Sequence, residues 1–251
     1  MSDAPPSDAT APAAGAQTPA AGPATPPETP VEAVLARRRS VRAFLPDPLP
    51  RADLERILRA ARSAPSGANL QPGRFHVLTG AALDGLAAAL VAAAESGRPP
   101  VAQYSYFPQP MPADLKDRQR AAGHALYAAL GIARRDLAGR QAQFLRNYAF
   151  FSAPVGIVVT IRPDMGKGCF MDLGMSLMAL MMAAEAMGHA SCGIGALANH
   201  ADVAHAHLGL GEDEMVVCGL ALGRPDPDAP VNAVRTGRDA LAQFATFRGF
   251  S

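Results

Sequence analysis

The segment RRRSVRAF at residues 37–44 concentrates side chains that bind anions. Arg38, Ser40 and Arg42 are spaced by two, so an extended backbone would place all three on one side. Two guanidinium groups and a hydroxyl form a good phosphate clamp, because arginine offers paired donors and a permanent charge. Arg39, which lies between them, belongs to the same candidate site. A solvated run of charge at the end of a helix is the alternative explanation.

A second basic cluster, RTGR at residues 235–238, contributes Arg235 and Arg238 from an extended C-terminal segment. Taken alone, this cluster is most simply explained as surface charge. Two basic clusters at distant positions in the chain could nevertheless converge on one phosphate group.

The stretch APSGANLQPGRF at residues 64–75 places small and amide-bearing residues between a helical pattern and a strand-like pattern. Its candidate ligand-contacting residues are Pro65, Ser66, Gly67, Asn69 and Gln71. A surface turn would explain this composition. A seat for a flat ligand with polar edges would explain it as well.

The stretch SCGIGALA at residues 191–198 has the G-x-G-x-x-A order of a dinucleotide-binding fingerprint, beginning at Gly193. A Rossmann glycine loop requires a strand directly before it and an acidic residue about 20 positions later. Here a helical pattern precedes it, with only residues 189–192 between, and the next predicted strand ends in a Gly-Arg pair. We therefore interpret Gly193 and Gly195 as permitting close approach of the backbone to a planar ligand, with amide N–H groups as donors.

The histidines and cysteines predict neither a metal site nor a catalytic nucleophile. No pair of them has the spacing of helical metal ligands, so no metal is expected. Cys192 could act as a nucleophile, but no general base can be assigned to it, and a buried structural thiol is favoured. Three cysteines are too few and too odd in number for a disulfide framework, which indicates a reducing compartment and predicts the cytoplasm.

Length and composition predict one domain of about 200 residues with additions, because the chain has 251 residues and 49% hydrophobic content. The net charge of +1 gives no indication of nucleic-acid binding.

Residues 1–30, rich in Ala and Pro, are expected to be a disordered tail without the features of a signal peptide. Residues 31–251 would form the folded domain. The apolar stretch 170–188 contains Asp172 and Glu185, and we interpret it as a buried helix rather than a membrane span.

Apolar residues at helical spacing predict helices, and β-branched runs predict strands. Helices are expected at residues 31–39, 50–63, 81–96, 114–148 with a break near Gly131, and 170–188, and strands at 74–79, 154–161 and 215–222. The predicted helices outnumber the predicted strands, and the strands lie far apart in the sequence. This pattern favours an α+β fold on a central sheet.

Methionines 171, 175, 178 and 182 predict a core stripe or a subunit interface. The excursion at 98–113 is typical of a binding element.

Three blocks together resemble the nitroreductase family of flavin enzymes. They are RRSVRAF (38–44), APSGANLQPGRF (64–75) and MGHASCGIGALAN (187–199), with RTGR beyond them. FFSAPVGIVVTI and DLGMSLMALMMAAEAMG match the central strand and helix of the family in the same order. The resemblance spans about residues 31–251. YAALGIAR (127–134) and RNYAFFSAPVG are similar to the branch of the family that reduces nitroaromatic compounds.

The resemblance implies a sandwich in which a central, mostly antiparallel sheet is flanked by helices, and a domain-sharing homodimer that holds two FMN molecules. The loop at 64–75 would line the flavin, in part across the dimer. The phosphate and the pyrimidine edge would be held by Arg38, Ser40, Arg42, Arg235 and Arg238. The backbone passing over the ring would be that of Gly193, Ile194 and Gly195.

The resemblance also implies a ping-pong oxidoreductase. NAD(P)H would deliver a hydride to the flavin, and a nitroaromatic, quinone or related small-molecule acceptor would then take the electrons. This chemistry needs no dedicated acid–base pair, so no catalytic side chain is assigned. Neither nucleic acid nor a membrane is expected as a partner.

Two positions depart from the family pattern and leave the acceptor open. Gly73 stands where an aromatic residue is frequent, and Gly195-Ala196 replaces a Glu-Gly pair. One alternative is a flavin enzyme of the same fold with other chemistry, such as a dehalogenase, a dehydrogenase or a flavin-consuming enzyme. The other is a non-enzymatic flavin- or partner-binding module whose residues 104–112 dock another protein.

Overall fold

The computed structural model describes residues 29–250 of the 251-residue chain. The chain divides into two units, whose described residues are 29–236 and 237–250. The disorder expected of residues 1–28 concerns a segment outside the described part. Thr29 and Pro30, which the sequence assigned to the tail, instead begin the first helix, because Thr29 and Glu32 form a reciprocal capping box at its start.

The larger unit is built on a four-stranded sheet. Its strands are β1 (Arg74–Thr79), β2 (Val155–Ile161), β3 (Ala190–Ile194) and β4 (Met215–Gly223). They lie in the order β1-β2-β4-β3, and every neighbouring pair is antiparallel. Every residue of the central strand β2 is buried, as its unbroken β-branched and apolar run predicts. The three strands expected from the sequence and the antiparallel sheet are confirmed.

The helices of the larger unit are α1 (Pro30–Arg37), α2 (Arg51–Arg62), α3 (Gly80–Glu95), α4 (Ala113–Ala129), α5 (Leu137–Leu145), α6 (Lys167–Ala186) and α7 (Ala201–Leu208). Short 3₁₀ turns lie at Gly67–Asn69, Phe150–Ser152, Gly195–Asn199 and Pro230–Ala233. The smaller unit contains α8 (Leu241–Phe244). The helices expected before residue 100 and the central apolar helix begin and end within about three residues of their predicted bounds.

Helices cover both faces of the sheet. On one face, α3 and α7 pack with the buried ring of Phe150 against side chains that include Val158. On the other face, α2 and α6 bury Ile57 and Leu180 against Ile157 and its neighbours. Successive strand residues point to opposite faces of the sheet. Val158 of β2 therefore packs on the side of α3 and α7, and Ile157 packs on the side of α2 and α6. This arrangement is the expected α+β sandwich.

The helix α6 has one buried side and one exposed side. By length and composition, it is the one helix among residues 29–250 that could cross a membrane. Leu173 and Leu180 are buried against the sheet layer, whereas Met171 and Met175 are 70% and 42% exposed. Of the two roles predicted for the methionine stripe, the core of one chain is therefore wrong for these two residues, and the subunit interface stays a prediction.

Two elements differ from the sequence-based expectation. β3 includes Gly193 and the residues just before it, where no strand was expected from the sequence. Its Gly, Ser and Cys residues carry little strand propensity, and pairing with β4 holds the strand. The predicted helix 114–148 is two helices, α4 and α5, and Gly131 at φ = +66° confirms the expected break. Although a strand carries Gly193, it is an antiparallel edge strand, so a Rossmann loop is excluded.

Candidate flavin site

The arginine-rich segment lies along the outer edge of the sheet. Ser40 forms a parallel bridge with Ser191 of β3, and the Val41 N–H donates to the Ser191 carbonyl at 3.1 Å. β3 is an edge strand, so its outer side is open to such pairing. The bridge brings the first sequence block, which contains Ser40, beside the third block, which contains β3.

Asn232 holds this segment from the other side. Its Oδ1 accepts from the backbone N–H of Arg42 at 2.9 Å and of Ala43 at 3.2 Å. Its Nδ2 donates to the carbonyls of Ala43 at 2.8 Å and Asp226 at 2.9 Å. The residue is only 2% exposed, so all four bonds are shielded from water. Asn232 therefore connects residues 42–43 to the turn that precedes Arg235, and sequence reasoning missed it.

Three guanidinium groups converge near the C-terminal end of α6. The pKa of Arg235 is lowered, first by burial and then by the positive charges of Arg39 and Arg38, whereas Glu185 acts in the opposite direction. Glu185 also pairs with Arg37 at 3.5 Å. A group of cations that repel one another and share one carboxylate fits a phosphate, because an anion would relieve the repulsion.

The two basic clusters are thus brought together in part. Arg39 Nε donates to the Asn232 carbonyl at 2.6 Å, which ties the first cluster to the turn before the second. Arg238 belongs to the smaller unit, where its guanidinium donates to the Gly237 carbonyl at 2.9 Å. Its contribution to the phosphate site stays a prediction.

Cys192 of β3 lies close to Arg42 and Ser40. Arg42 Nη1 donates to the Ser40 carbonyl at 3.2 Å, so the side chain folds back along its own segment. Cys192 is 2% exposed, and burial raises the pKa of its thiol despite the opposing influence of Arg42 and Ser40. A protonated, buried thiol is a poor nucleophile, which supports the structural role favoured from the sequence.

The glycine segment presents bare backbone beside the arginines. Gly193 is the one exposed residue of β3, and a Cβ added there would meet no atom within 4 Å. Ile194 is 1% exposed and points into the core, so only its backbone could contact a ligand. The nearby Ser191 hydroxyl is buried and has no hydrogen-bond partner among residues 29–250. The exposed backbone of Gly193, with an unsatisfied hydroxyl buried next to it, suits a planar ligand with polar edges.

The amide-rich loop is held in an unusual backbone conformation. Ala68, Asn69 and Gln71 have φ of +49°, +57° and +49°, which non-glycine residues rarely adopt. The Ser66 hydroxyl accepts from the Gln71 N–H at 2.9 Å, and the Gly67 N–H donates to Asp172 at 3.1 Å. Backbone strain of this kind is typical of functional sites, where the surrounding contacts maintain it.

Arg62 supplies much of that support. Its guanidinium donates to the carbonyl of Gln71 and, at 2.8 Å, to that of Gly73. Gly73 has φ = +92°, and a Cβ there would lie 2.5 Å from Cδ1 of Leu173. A side chain at this position would be strained by the backbone conformation and would require Leu173 to move, which fits the glycine found there. Neither Arg62 nor Asp172 was recognised from the sequence as a residue that positions this loop.

The loop and the arginine cluster lie at opposite ends of α6. Asp172, which accepts from the loop, and Glu185, which lies among the arginines, are thirteen residues apart on the same helix. A rise of 1.5 Å per residue separates them by about 20 Å. One chain therefore brings together the first and third sequence blocks, but not the second.

Comparison with known proteins identifies the family. The model of the nitroreductase family matches residues 35–224. A 4-nitrobenzoate reductase of Pseudomonas putida is 36% identical over 220 residues, which cover 87% of this chain and 96% of the relative. A chloronitrobenzene nitroreductase of Comamonas testosteroni is 35% identical over 220 residues, with 86% and 96% covered.

Two solved structures are similar along nearly their whole length. The FMN- and NADPH-dependent nitroreductase NfnB of Sphigopyxis sp. strain HMH has a TM-score of 0.84 and 39% identity, covering 88% of this chain and 100% of that one. NfnB of Mycobacterium smegmatis, solved in complex with NADPH, has a TM-score of 0.83 and 33% identity, with 87% and 97% covered. The family expected from the three sequence blocks is confirmed: this chain belongs to the nitroreductase family.

Proposed function

We propose that this protein is an FMN-dependent enzyme that reduces nitroaromatic compounds with electrons from NADPH. Membership of the nitroreductase family confirms the expected class, an oxidoreductase. The observation that carries the proposal is the proximity of Arg38 and Arg39 to Arg235, on a segment that pairs with β3, the strand that exposes the backbone of Gly193. It offers an anion site next to a flat, open surface, which are the two features that an FMN molecule requires.

The residues of one chain account for part of a flavin site. We assign Arg38, Arg39 and Arg235 to the phosphate and the backbone of Gly193–Gly195 to the ring. Ser40 and Arg42 would meet the pyrimidine edge, with the unpartnered Ser191 hydroxyl beside them.

A second copy of the chain would complete the site. The amide-rich loop contacts α6 at Asp172, about 20 Å along the helix from Glu185, which lies among the arginines, so one chain does not place the loop beside its own phosphate site. The exposed methionines Met171 and Met175 lie on α6 beside Asp172, which binds that loop. Burial of this apolar face in a homodimer would remove it from water and carry the loop to the partner's arginines.

Bound FMN supplies the redox chemistry, since it can accept a hydride from NADPH and pass the electrons to an acceptor. The chain itself positions the cofactor and excludes water, and needs no dedicated acid–base pair. NADPH, the donor named for both NfnB structures, would leave before a nitroaromatic acceptor takes its place. The free cysteines fit a location in the cytoplasm.

The absorbance spectrum tests this proposal. The purified protein, loaded with FMN if necessary, should show a flavin spectrum that bleaches on anaerobic addition of NADPH. Addition of 4-nitrobenzoate should restore the colour, whereas benzoate, which lacks the nitro group, should not. A protein that binds no FMN, or whose flavin NADPH does not bleach, would refute the proposal.

The clamp by Arg62 yields a prediction about affinity. We expect Arg62→Met to weaken FMN binding about tenfold, or about 1.4 kcal/mol, because the loop loses the donors that hold the carbonyls of Gln71 and Gly73. Arg59→Met is the matched control, since Arg59 lies on the same helix and pairs with Glu55. Fluorescence titration with FMN measures both variants, and equal affinities would show that the clamp does not support the site.

A further inference from the structure

Two buried polar groups without partners lie close together at the start of β3. Within residues 29–250, the buried side-chain atoms that lack a hydrogen-bond partner are Arg98 Nε, His189 Nδ1 and Ser191 Oγ. His189 is 8% exposed and Ser191 is 2% exposed. A buried polar group without a partner costs free energy, so two such groups two positions apart indicate a small polar molecule that binds both.

The two side chains face the same side of the sheet. Cys192 and Ile194 of β3 pack in the layer of α3 and α7. Because successive residues of an extended chain point to opposite faces, His189 and Ser191 face the layer of α2 and α6. Residues two apart in a strand are separated by about 7 Å along the backbone. One water molecule, bonded at about 2.8 Å to each of two atoms, bridges a gap of up to about 5.6 Å between them.

Asp53 of α2 fixes the state of the His189 ring. Its Oδ2 lies 3.2 Å from Nε2 of His189. An ionised carboxylate can only accept a hydrogen bond, so Nε2 carries the proton, and Nδ1 of the neutral ring is an acceptor. A water molecule would then donate one O–H to Nδ1 and the other to Oγ of Ser191. The hydroxyl hydrogen of Ser191 would be left to donate in another direction.

We infer that His189 and Ser191 hold one internal water molecule, and that His189 acts through this water as a positioning residue for the Ser191 hydroxyl. This role rests on the proposed function, which puts Ser191 beside the pyrimidine edge of FMN. That edge carries carbonyl oxygens, which accept hydrogen bonds. Gly193, the next residue on this side of β3, is exposed, so Ser191 lies between the buried water and the open site. The water directs the hydroxyl hydrogen away from His189 and towards the flavin.

Two amide side chains, which mimic different halves of the imidazole ring, test this role. In His189→Asn, the amide oxygen lies near the position of Nδ1, so the water keeps its acceptor although the contact with Asp53 is lost. In His189→Gln, the amide reaches Asp53 but leaves no acceptor at the position of Nδ1. Fluorescence titration should give FMN and riboflavin affinities within about twofold of wild type for the Asn variant, and about fivefold weaker for the Gln variant.

The serine supplies the second half of the test. Ser191→Ala should also weaken FMN and riboflavin binding about fivefold, and its combination with His189→Gln should weaken binding no further, because both changes remove one shared interaction. Ser176→Ala is the matched control. It removes another buried hydroxyl of this layer, which donates to the Ala61 carbonyl at 2.7 Å, and should leave both affinities within about twofold.

A crystal structure of the wild-type protein shows the water directly. We expect a water molecule within about 3.2 Å of both His189 Nδ1 and Ser191 Oγ, with or without FMN. Its absence, or a Gln variant that binds flavin better than the Asn variant, would overturn the inference and leave the proposed function intact. A wild-type protein that binds no FMN would refute the function and the positioning role, whereas the water in its FMN-free crystals would still establish the water site. If a histidine variant does not fold, the wild-type crystal structure and Ser191→Ala decide.

Discussion

Replacement of both Arg38 and Arg235 by glutamate is expected to abolish FMN retention during purification and to weaken FMN binding by at least about a hundredfold. A hydrogen bond between a guanidinium and a phosphate contributes about 1.5–3 kcal/mol, so two lost contacts amount to about 3 kcal/mol or more. Each tenfold change corresponds to about 1.4 kcal/mol, and the two new carboxylates would also repel the phosphate. Titration of the apoprotein with FMN, followed by flavin fluorescence, measures the effect.

Two controls identify the cause. Arg134→Glu combined with Arg135→Glu makes the same change of net charge at exposed positions between α4 and α5, and should leave FMN bound. Riboflavin, which lacks the phosphate, should bind the wild-type protein and the Arg38/Arg235 variant with affinities that differ far less than those for FMN. A yellow Arg38/Arg235 variant with unchanged FMN affinity would show that these arginines do not hold the phosphate.

The sequence-based predictions agree best with the structure where the local residue pattern and the burial of the residues indicate the same element. β2 reads as a strand from its β-branched run and is buried throughout, and β1 begins and ends at the predicted residues. β3 was missed because a short run of Ala, Ser, Cys and Gly carries little preference of its own, and its pairing with β4 is a contact between distant residues. Edge strands of this kind depend on their partner more than on their own sequence.

The residues of the candidate site likewise divide into those that the local sequence predicts and those that only long-range contacts reveal. The types and spacing of Arg38, Ser40 and Gly193 were enough to mark them as candidates. Asn232, by contrast, binds backbone atoms about 190 residues earlier in the chain, and nothing in its immediate sequence distinguishes it from a turn residue. Arg62 was likewise interpreted as part of an amphipathic helix, although its contacts are with loop carbonyls. Residues that position others through long-range backbone contacts leave no local pattern.

The second large effect concerns the division of the site between two chains. We expect two different defects, one in the arginines and one in the loop, to complement each other in a mixed dimer. The first variant is Arg38→Glu with Arg235→Glu. The second is Asn69→Glu with Gln71→Glu, which places carboxylates on the loop where it would face the flavin. Each variant alone should retain less than about 1% of wild-type nitroreductase activity.

A mixed dimer, isolated with a different affinity tag on each chain, contains one site built from two wild-type halves and one built from two altered halves. Because the two sites of a symmetric dimer are equivalent, its activity should be about half that of the wild-type dimer. It should also hold one FMN where the wild type holds two. If one chain supplied both the arginines and the loop to each site, both sites of the mixed dimer would carry a defect, and its activity would stay at the level of the parents. Since the loop and the arginines lie about 20 Å apart along α6, a site shared between two chains is the arrangement in which both can contact one flavin.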